Sequence, residues 1–558
     1  MLMSRVLAGL WLAGCASAAF VQWQHCDAIS PDDTSSIPQS LTAEVARING
    51  THDRLSLGVT RSLDQALCER LAREGLVATL ELQMLGRYYS SQLHAEVTCG
   101  TRSWRKGKYF LDLNLTQDLS GFYPLAAAAV TIKLEDDGVF GRESCVRAGF
   151  TPQIGGSVRK ALVCVPLFVF LFVLVAGCVR SLCSHPPESD DDNDGDDEPT
   201  PRTILPHVGD CLGYLQFIFL TGSLSLFYPG FYQPVVSPLS PYSLFLRGTM
   251  IPSRQYGSVS DGIYEVNGTY GGTFGLELMT QVVGAPLTWG TWINMVITIV
   301  IIAFAAAVAL EVYRATTRSD DAHSDSHSSP WAGLRHTWNN VFRGVLSYFM
   351  FPLVAMSCYQ LDNAAILPAY HITSATLFIV IILAAFAWLL RQIPTRTLGV
   401  LIFDGSKRYR RIESSAGNST TAFAHEKAFV LGLFLITFIR GVAVGGLQIS
   451  AVAQLVVLAL CEVFLLASIV VFQAYSLLSV GTVSAIARLV SVLLMIAFVP
   501  GLAPHNVKAA VGYAILFLHT CMLLFGFLVP AASGLVKLYA AQRDAPRPNV
   551  SFCTESRR

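Results

Sequence analysis

The feature that most constrains this chain is a succession of apolar stretches, each about as long as a bilayer is thick. A helix needs roughly 20 predominantly apolar residues to cross the hydrocarbon core. Blocks of that kind are read at 161–182, 211–232, 292–313, 342–359, 372–390, 429–447, 452–474, 480–500 and 509–529. Among the 558 residues, 52% are hydrophobic and only 14% are charged, where globular domains carry about 25%. The 39 Lys and Arg cancel the 39 Asp and Glu, so the basic excess of a nucleic-acid binder is missing and no nucleic-acid partner is expected. The sequence predicts a multi-pass α-helical membrane protein with about nine transmembrane helices, preceded by a lumenal, β-rich, sandwich-like domain.

The N-terminus reads as a cleavable secretory signal. Arg5 precedes an apolar run from Val6 to Leu12, and Ala16-Ser17-Ala18 supplies the small residues of a cleavage site. Leu12-Ala13-Gly14-Cys15 also matches a bacterial lipobox, a match read as chance. The expected divisions are a signal at 1–18, a lumenal domain at 19–158, a first span at 161–182 and an acidic cytosolic linker at 183–207. A membrane domain at 208–532 and a cytosolic tail at 533–558 complete them.

Within 19–158, Arg61 to Met84 reads as a helix, whereas Leu93–Val97, Tyr109–Leu115 and Ala128–Leu134 alternate as strands do. Cys26, Cys68, Cys99 and Cys145 are an even set in a translocated domain, so two disulfides with three alternative pairings are expected. Asn49, Asn114 and Asn267 begin sequons on segments read as lumenal and are the glycosylation candidates. Sequons at Asn418 and Asn549 fall on the side read as cytosolic.

Loop charge agrees with that topology. Segments read as cytosolic carry 18 Lys and Arg, whereas the short lumenal loops carry Arg247, Arg254 and Lys508, as the positive-inside rule requires. Arg159 and Lys160 are a local exception beside the first span. The run Lys407-Arg408-Tyr409-Arg410-Arg411 suits anionic lipid or simply topology.

No catalytic residue and no metal ligand is expected. G-x-S-x-G, Walker A, H-E-x-x-H and the Rossmann glycine pattern are all missing, so the chain reads as a non-enzyme with no covalently bound cofactor. Asp190, Asp192, Asp194 and Gly195 imitate half of an EF-hand, but Pro201 stands where the closing Glu should be. A solvated linker is the better reading.

Charges inside the spans carry more information, because each is costly unless paired or hydrated. Arg440, Glu462 and Arg488 lie in three consecutive spans. At about 1.5 Å per residue, their depths allow Glu462 to reach at least one arginine. The trio is either a structural ion pair or part of a path for a charged solute. Glu311 and Asp362, near span ends, are expected to reach interfacial water. His519 is expected to be a hydrogen-bonded packing residue. Gly432, Gly441, Gly445 and Gly446 suggest close helix contact along one span.

The membrane half resembles the fungal TRP-like family, which includes flavin carriers. The resemblance rests on Tyr228-Pro229-Gly230-Phe231-Tyr232-Gln233-Pro234, Gly275-Leu276-Glu277-Leu278-Met279-Thr280-Gln281 and Thr291-Trp292-Ile293-Asn294-Met295. It continues through Leu346-Ser347-Tyr348-Phe349, Tyr359-Gln360-Leu361-Asp362 and Leu398-Gly399-Val400-Leu401-Ile402-Phe403-Asp404. The likeness implies a lumenal ML-like β-sandwich before the membrane domain. It also implies transport in the secretory pathway, either of flavin adenine dinucleotide into the endoplasmic reticulum or of calcium. Arg440 and Arg488 would serve an anionic dinucleotide as counter-charges, whereas a cation channel would present Glu462 to water. The alternative is a non-transporting lipid-binding protein of membrane or cell-wall homeostasis. Expected partners are membrane lipids and the transported solute, and self-association into a homo-oligomer is left open.

Overall fold

The computed structural model describes residues 20–25, 40–49, 52–63, 65–74, 76–84, 87–101, 109–119, 128–135, 144–151, 156–183, 206–246, 275–283, 285, 288–318, 330–362, 364, 368–392, 419–471 and 479–544. The signal, the acidic linker, the basic run at 407–411, Asn267, Asn418 and Asn549 lie outside the described residues.

The N-terminal region is built from eight strands: β1 (Phe20–His25), β2 (Ser40–Asn49), β3 (His52–Leu63), β4 (Leu76–Met84), β5 (Arg87–Thr101), β6 (Tyr109–Leu119), β7 (Ala128–Glu135) and β8 (Ser144–Thr151). One helix, α1 (Gln65–Glu74), joins β3 to β4. All pairings are antiparallel, in the order β1-β8-β7-β4-β5-β6-β3-β2. The long β5 joins two halves of this order. Its first part, Arg87–Ala95, pairs with β4, and its second, Glu96–Thr101, pairs with β6. A strand that changes partner along its length turns a corner, so both halves can face one core. Leu55 and Leu57 of β3, Leu111, Leu113 and Leu115 of β6, Leu80 of β4 and Ile132 of β7 fill that core together.

The helix read over Arg61 to Met84 is corrected: only Gln65–Glu74 is helical, and Leu76–Met84 is a strand. The physical reason is period. Leu76, Ala78, Leu80 and Leu82 are all buried, the two-residue repeat of a strand with one face inward.

The remainder is helical: α2 (Gly156–Cys183), α3 (Pro206–Thr221), α4 (Gly275–Val283), α5 (Thr288–Arg318), α6 (Pro330–Asp362), α7 (Ala369–Gln392), α8 (Ser419–Gly446), α9 (Ala451–Val471), α10 (Val480–Leu494), α11 (His505–Cys521) and α12 (Val529–Asp544). Among the described residues, eight stretches are long and apolar enough to cross a membrane. They are Ser157–Val179, Gly290–Val312, Thr337–Asp362, Ala369–Arg391, Ala428–Gly446, Ala451–Val471, Val480–Phe498 and His505–Ala540. The chain is therefore a multi-pass helical membrane protein. The last stretch is continuous because a π-helical segment, Met522–Leu528, links α11 to α12.

The second expected span, 211–232, is the exception. Helix α3 stops at Thr221, and its 16 residues reach only about 24 Å at 1.5 Å each, short of the roughly 30 Å hydrocarbon core. Tyr214, Leu215, Phe217, Ile218, Phe219, Leu220 and Thr221 are all at most 2% exposed, so α3 runs inside the bundle. Non-helical backbone follows, then a single turn at Tyr232–Val236 and a 3-10 segment at Ser237–Ser243 that returns alongside α3. Unwound backbone at this depth is tolerable because protein groups satisfy it. Gln216 Nε2 donates to the carbonyls of Tyr242 and Tyr348, at 3.0 and 2.9 Å. Gln233 Nε2 donates to the Gly222 carbonyl at 3.1 Å.

A polar cluster ties the turn after α3 to the α8–α9 loop. The Ser225 amide donates to Gln454 Oε1 at 2.9 Å, and Ser225 Oγ donates to the Gln448 carbonyl at 2.7 Å. Gln448 Oε1 also accepts from the Leu276 amide at 3.2 Å, at the start of α4. Gly275 has φ +65°, and a Cβ there would collide with Gln448 Oε1. Only glycine fits both the left-handed backbone and that approach.

Candidate functional site

The three intramembrane charges meet. Arg440 on α8, Glu462 on α9 and Arg488 on α10 are held by consecutive antiparallel packing of these helices. Arg440 Nη2 lies 2.7 Å from Glu462 Oε1, and Arg488 Nε lies 3.3 Å from Glu462 Oε2. The Glu462 side chain is fully buried, whereas Arg440 and Arg488 keep 9% and 13% exposure. Sequence depth allows at least one contact, and the structure makes two. The Arg488 bond is an oriented hydrogen bond. The Arg440 contact is close enough for a strong ion pair but is off the N–H axis, and Arg440 Nε has no acceptor among the described residues. The trio carries a formal net charge of +1, so one positive charge within the bundle is uncompensated by these residues.

A cavity of about 100 Å³ adjoins the two guanidinium groups. Gln216 and Phe217 of α3, Ser347 and Tyr348 of α6, Thr437 of α8, and Arg440 and Arg488 line it. Two glycines of α3 explain its shape. At Gly209 a Cβ would collide with Tyr348 Cε1, so the tyrosine ring occupies that side. At Gly213, one helical turn later, a Cβ would meet nothing within 4 Å. The missing side chain at Gly213 is thus part of the open volume. Arg488 also lies 6.0 Å from the Phe217 ring centre, a cation–π approach that holds the guanidinium at the cavity edge. A second, smaller chamber of about 50 Å³ shares Ser347 and Thr437 with the first and is bounded by Arg343, Phe386 and Phe434.

Two glycines of α8 act as packing residues. A Cβ at Gly441 would lie 2.7 Å from Val354 Cβ, and one at Gly445 would collide with the Ala355 carbonyl oxygen. These small residues let α8 approach the α6 backbone, which brings Thr437 and Arg440 to face Ser347. A Cβ at Gly432 would meet nothing within 4 Å, and one at Gly446 would make only ordinary contacts, so neither explains the close approach.

His519 behaves as a packing residue: its Nδ1 is 2.9 Å from the Tyr214 hydroxyl, and both are buried. Asp362, the last residue of α6, is exposed as expected. Glu311 differs, since Thr337 Oγ1 donates to it across the α5–α6 contact. Its bond is to a neighbouring helix as well as any interfacial water.

In the β region, Cys68 of α1 and Cys99 of β5 form a disulfide with Cα atoms 5.8 Å apart. One of the two expected disulfides is thus present among the described residues. Cys26 lies outside the described residues. Cys145 stands on β8, and the β1–β8 register ends at His25 opposite Val146. Asn114 is exposed on β6, flanked by buried Leu113 and Leu115, so its sequon is presented on the outer face. Asn49 ends β2.

Sequence reasoning does not single out Gln216, Gln448, Gln454 or Gly213. The amides do carry a signal, since each is an uncharged hydrogen-bonding group within or beside an apolar run. Gly213 carries none, because a glycine that opens a cavity and a glycine that closes a helix contact look alike in one chain.

Comparison of the chain with family models, with curated proteins and with solved structures finds no match.

Proposed function

We propose that this protein is a membrane transport protein of the secretory pathway, and that its solute is an anion. The observation that carries this reading is the placement of Arg440 and Arg488 on the wall of a cavity inside the bundle, while Glu462 is sealed behind them. A path for cations needs carboxylates facing water. Here the carboxylate is withdrawn and the guanidiniums remain, which favours a carrier of anions over a calcium channel. The resemblance of residues 228–234 and 275–281 to flavin carriers supports flavin adenine dinucleotide, anionic at its pyrophosphate, as the solute. The broken helix α3 beside the cavity supports the same reading, since discontinuous helices form solute sites in many carriers.

On this reading α3 and the non-helical backbone after it, which reaches the α8–α9 loop where Ser225 bonds Gln448, make a ninth crossing. The β-rich domain is lumenal, the C-terminus is cytosolic, and Asn114 is glycosylated. The cavity of about 100 Å³ is smaller than the roughly 150 Å³ that encloses one benzene, so it encloses a single phosphoryl group and not a dinucleotide. Passage therefore requires α3 to separate from α6 or α10.

The test is flux. Purified protein in liposomes is expected to take up the flavin dinucleotide without conducting calcium, and Arg488→Gln is expected to reduce uptake strongly. Calcium flux without flavin uptake would overturn the anion reading. Neither flux, from protein shown to be folded, would overturn transport itself.

A further inference from the structure

The donor count around the trio is unbalanced. Two guanidiniums bring about ten N–H groups, and a carboxylate offers about four acceptor sites. Arg440 is more than nine-tenths buried, lines the cavity, and has Nε without an acceptor among the described residues. A buried guanidinium normally spends its donors on anions or carbonyls. Ser347 adds a hydroxyl from α6, and Thr437, on the same helix as Arg440, adds a hydroxyl oxygen whose proton goes to the Leu433 carbonyl at 2.8 Å. Phe217, Phe351 and the Tyr348 ring supply the apolar part of the lining, and a volume of about 100 Å³ suits a tetrahedral oxyanion or about three waters at roughly 30 Å³ each.

We infer that this cavity is a binding site for a phosphate-type oxyanion, and that Glu462 is the internal competitor that keeps its affinity low. Glu462 neutralises both arginines from behind, each through a different oxygen. An arriving oxyanion meets the same two guanidiniums from the cavity side and shares them with Glu462. The carboxylate thus stabilises the empty bundle and weakens the filled one. Release of a bound anion is then fast, as a carrier requires. No covalent step is involved. This inference deepens the anion-carrier reading and rests on the same cavity, but its readout is binding and not flux.

The experiment uses the full chain in detergent, titrated calorimetrically with inorganic phosphate. Wild type is expected to bind weakly, and Glu462→Gln to bind roughly tenfold or more tightly, because the competing charge is gone while the amide still accepts hydrogen bonds. Gly213→Val is expected to abolish binding by filling the cavity, with the elution profile and melting temperature of wild type. Phosphate binding unchanged or weaker in folded Glu462→Gln would overturn the competitor role. Should that variant fail to fold, Gly213→Val decides alone, and binding retained there would overturn the site. Phosphatidic acid in mixed micelles is the second arm: binding of the lipid alone, with none of phosphate, would overturn a soluble anion as occupant. Phosphate bound without flavin flux leaves the site and removes the carrier reading, and flux without phosphate binding does the reverse.

Discussion

Helices α2 and α6 are both long enough to span a bilayer, yet they occupy opposite environments. Only 17% of the α2 span is buried within the protein, against 67% of the α6 span. The more apolar helix is the more exposed one, and the least apolar of the eight spans is the most buried. This inverts the rule for soluble domains. Lipid is as apolar as leucine, so burial of hydrocarbon does not draw helices together in a membrane. Packing of small residues and satisfaction of polar groups decide which helices lie inside. Helix α6 carries Ser347, Ser357 and Gln360, all absent from the lipid-facing side of α2, and it receives the glycine face of α8.

Four substitutions test that contrast. The largest effect is expected from Glu462→Ala, which strands two buried guanidiniums and should cost about 3–5 kcal/mol. Thermal unfolding in detergent measures it, and replacing all three charges with amides should cost less than removing Glu462 alone. Next is Gly445→Ala on α8. The new Cβ would collide with the Ala355 carbonyl, and overpacking against a backbone should cost about 3 kcal/mol. Smaller again is Trp292→Phe, which removes the 3.0 Å hydrogen bond from Trp292 Nε1 to Ser357 Oγ. Interhelical bonds of this kind in membranes are worth about 0.6 kcal/mol on average, and the same melting series should resolve it. The smallest effect is expected from Leu377→Ala on α7, where the side chain is 60% exposed. It faces lipid, so its melting temperature should match wild type. A large loss at Leu377 or none at Gly445 would break the contrast between lipid-facing and interior helices.

The same physics explains which features are legible in the amino-acid sequence. The spans are legible because a bilayer sets their length, and the ends of α7 and α9 fall within about three residues of the apolar blocks. Arg440, Glu462 and Arg488 are legible because charge at membrane depth always needs an explanation. The Pro229-Gly230 pair marks the interruption after α3, but the helix ends eight residues earlier, where Gly222, a residue common just past helix ends, is hidden within the apolar block. Residues Leu76–Met84 pass for helix because a leucine-rich strand following a true helix extends its apolar pattern. The pairing of Cys68 with Cys99 depends on the fold of β5 over α1, which spacing does not encode. The cavity is the least legible feature of all. It exists because Gly213 lacks a side chain opposite Ser347, two residues 134 positions apart in the chain.

Everything proposed for this protein turns on Arg440 and Arg488 presenting positive potential to the cavity inside the bundle. Ser347→Cys tests it most directly, since the substitution is nearly isosteric and Ser347 lies on the cavity wall. The measurement is the rate at which the new thiol reacts with anionic and cationic methanethiosulfonate reagents in membranes, above the background of the unsubstituted chain. The anionic reagent is expected to react faster by at least about tenfold, the scale on which charged clefts steer ions, and Arg440→Gln is expected to shrink the ratio. Faster reaction of the cationic reagent, or a ratio indifferent to Arg440, would contradict the claim.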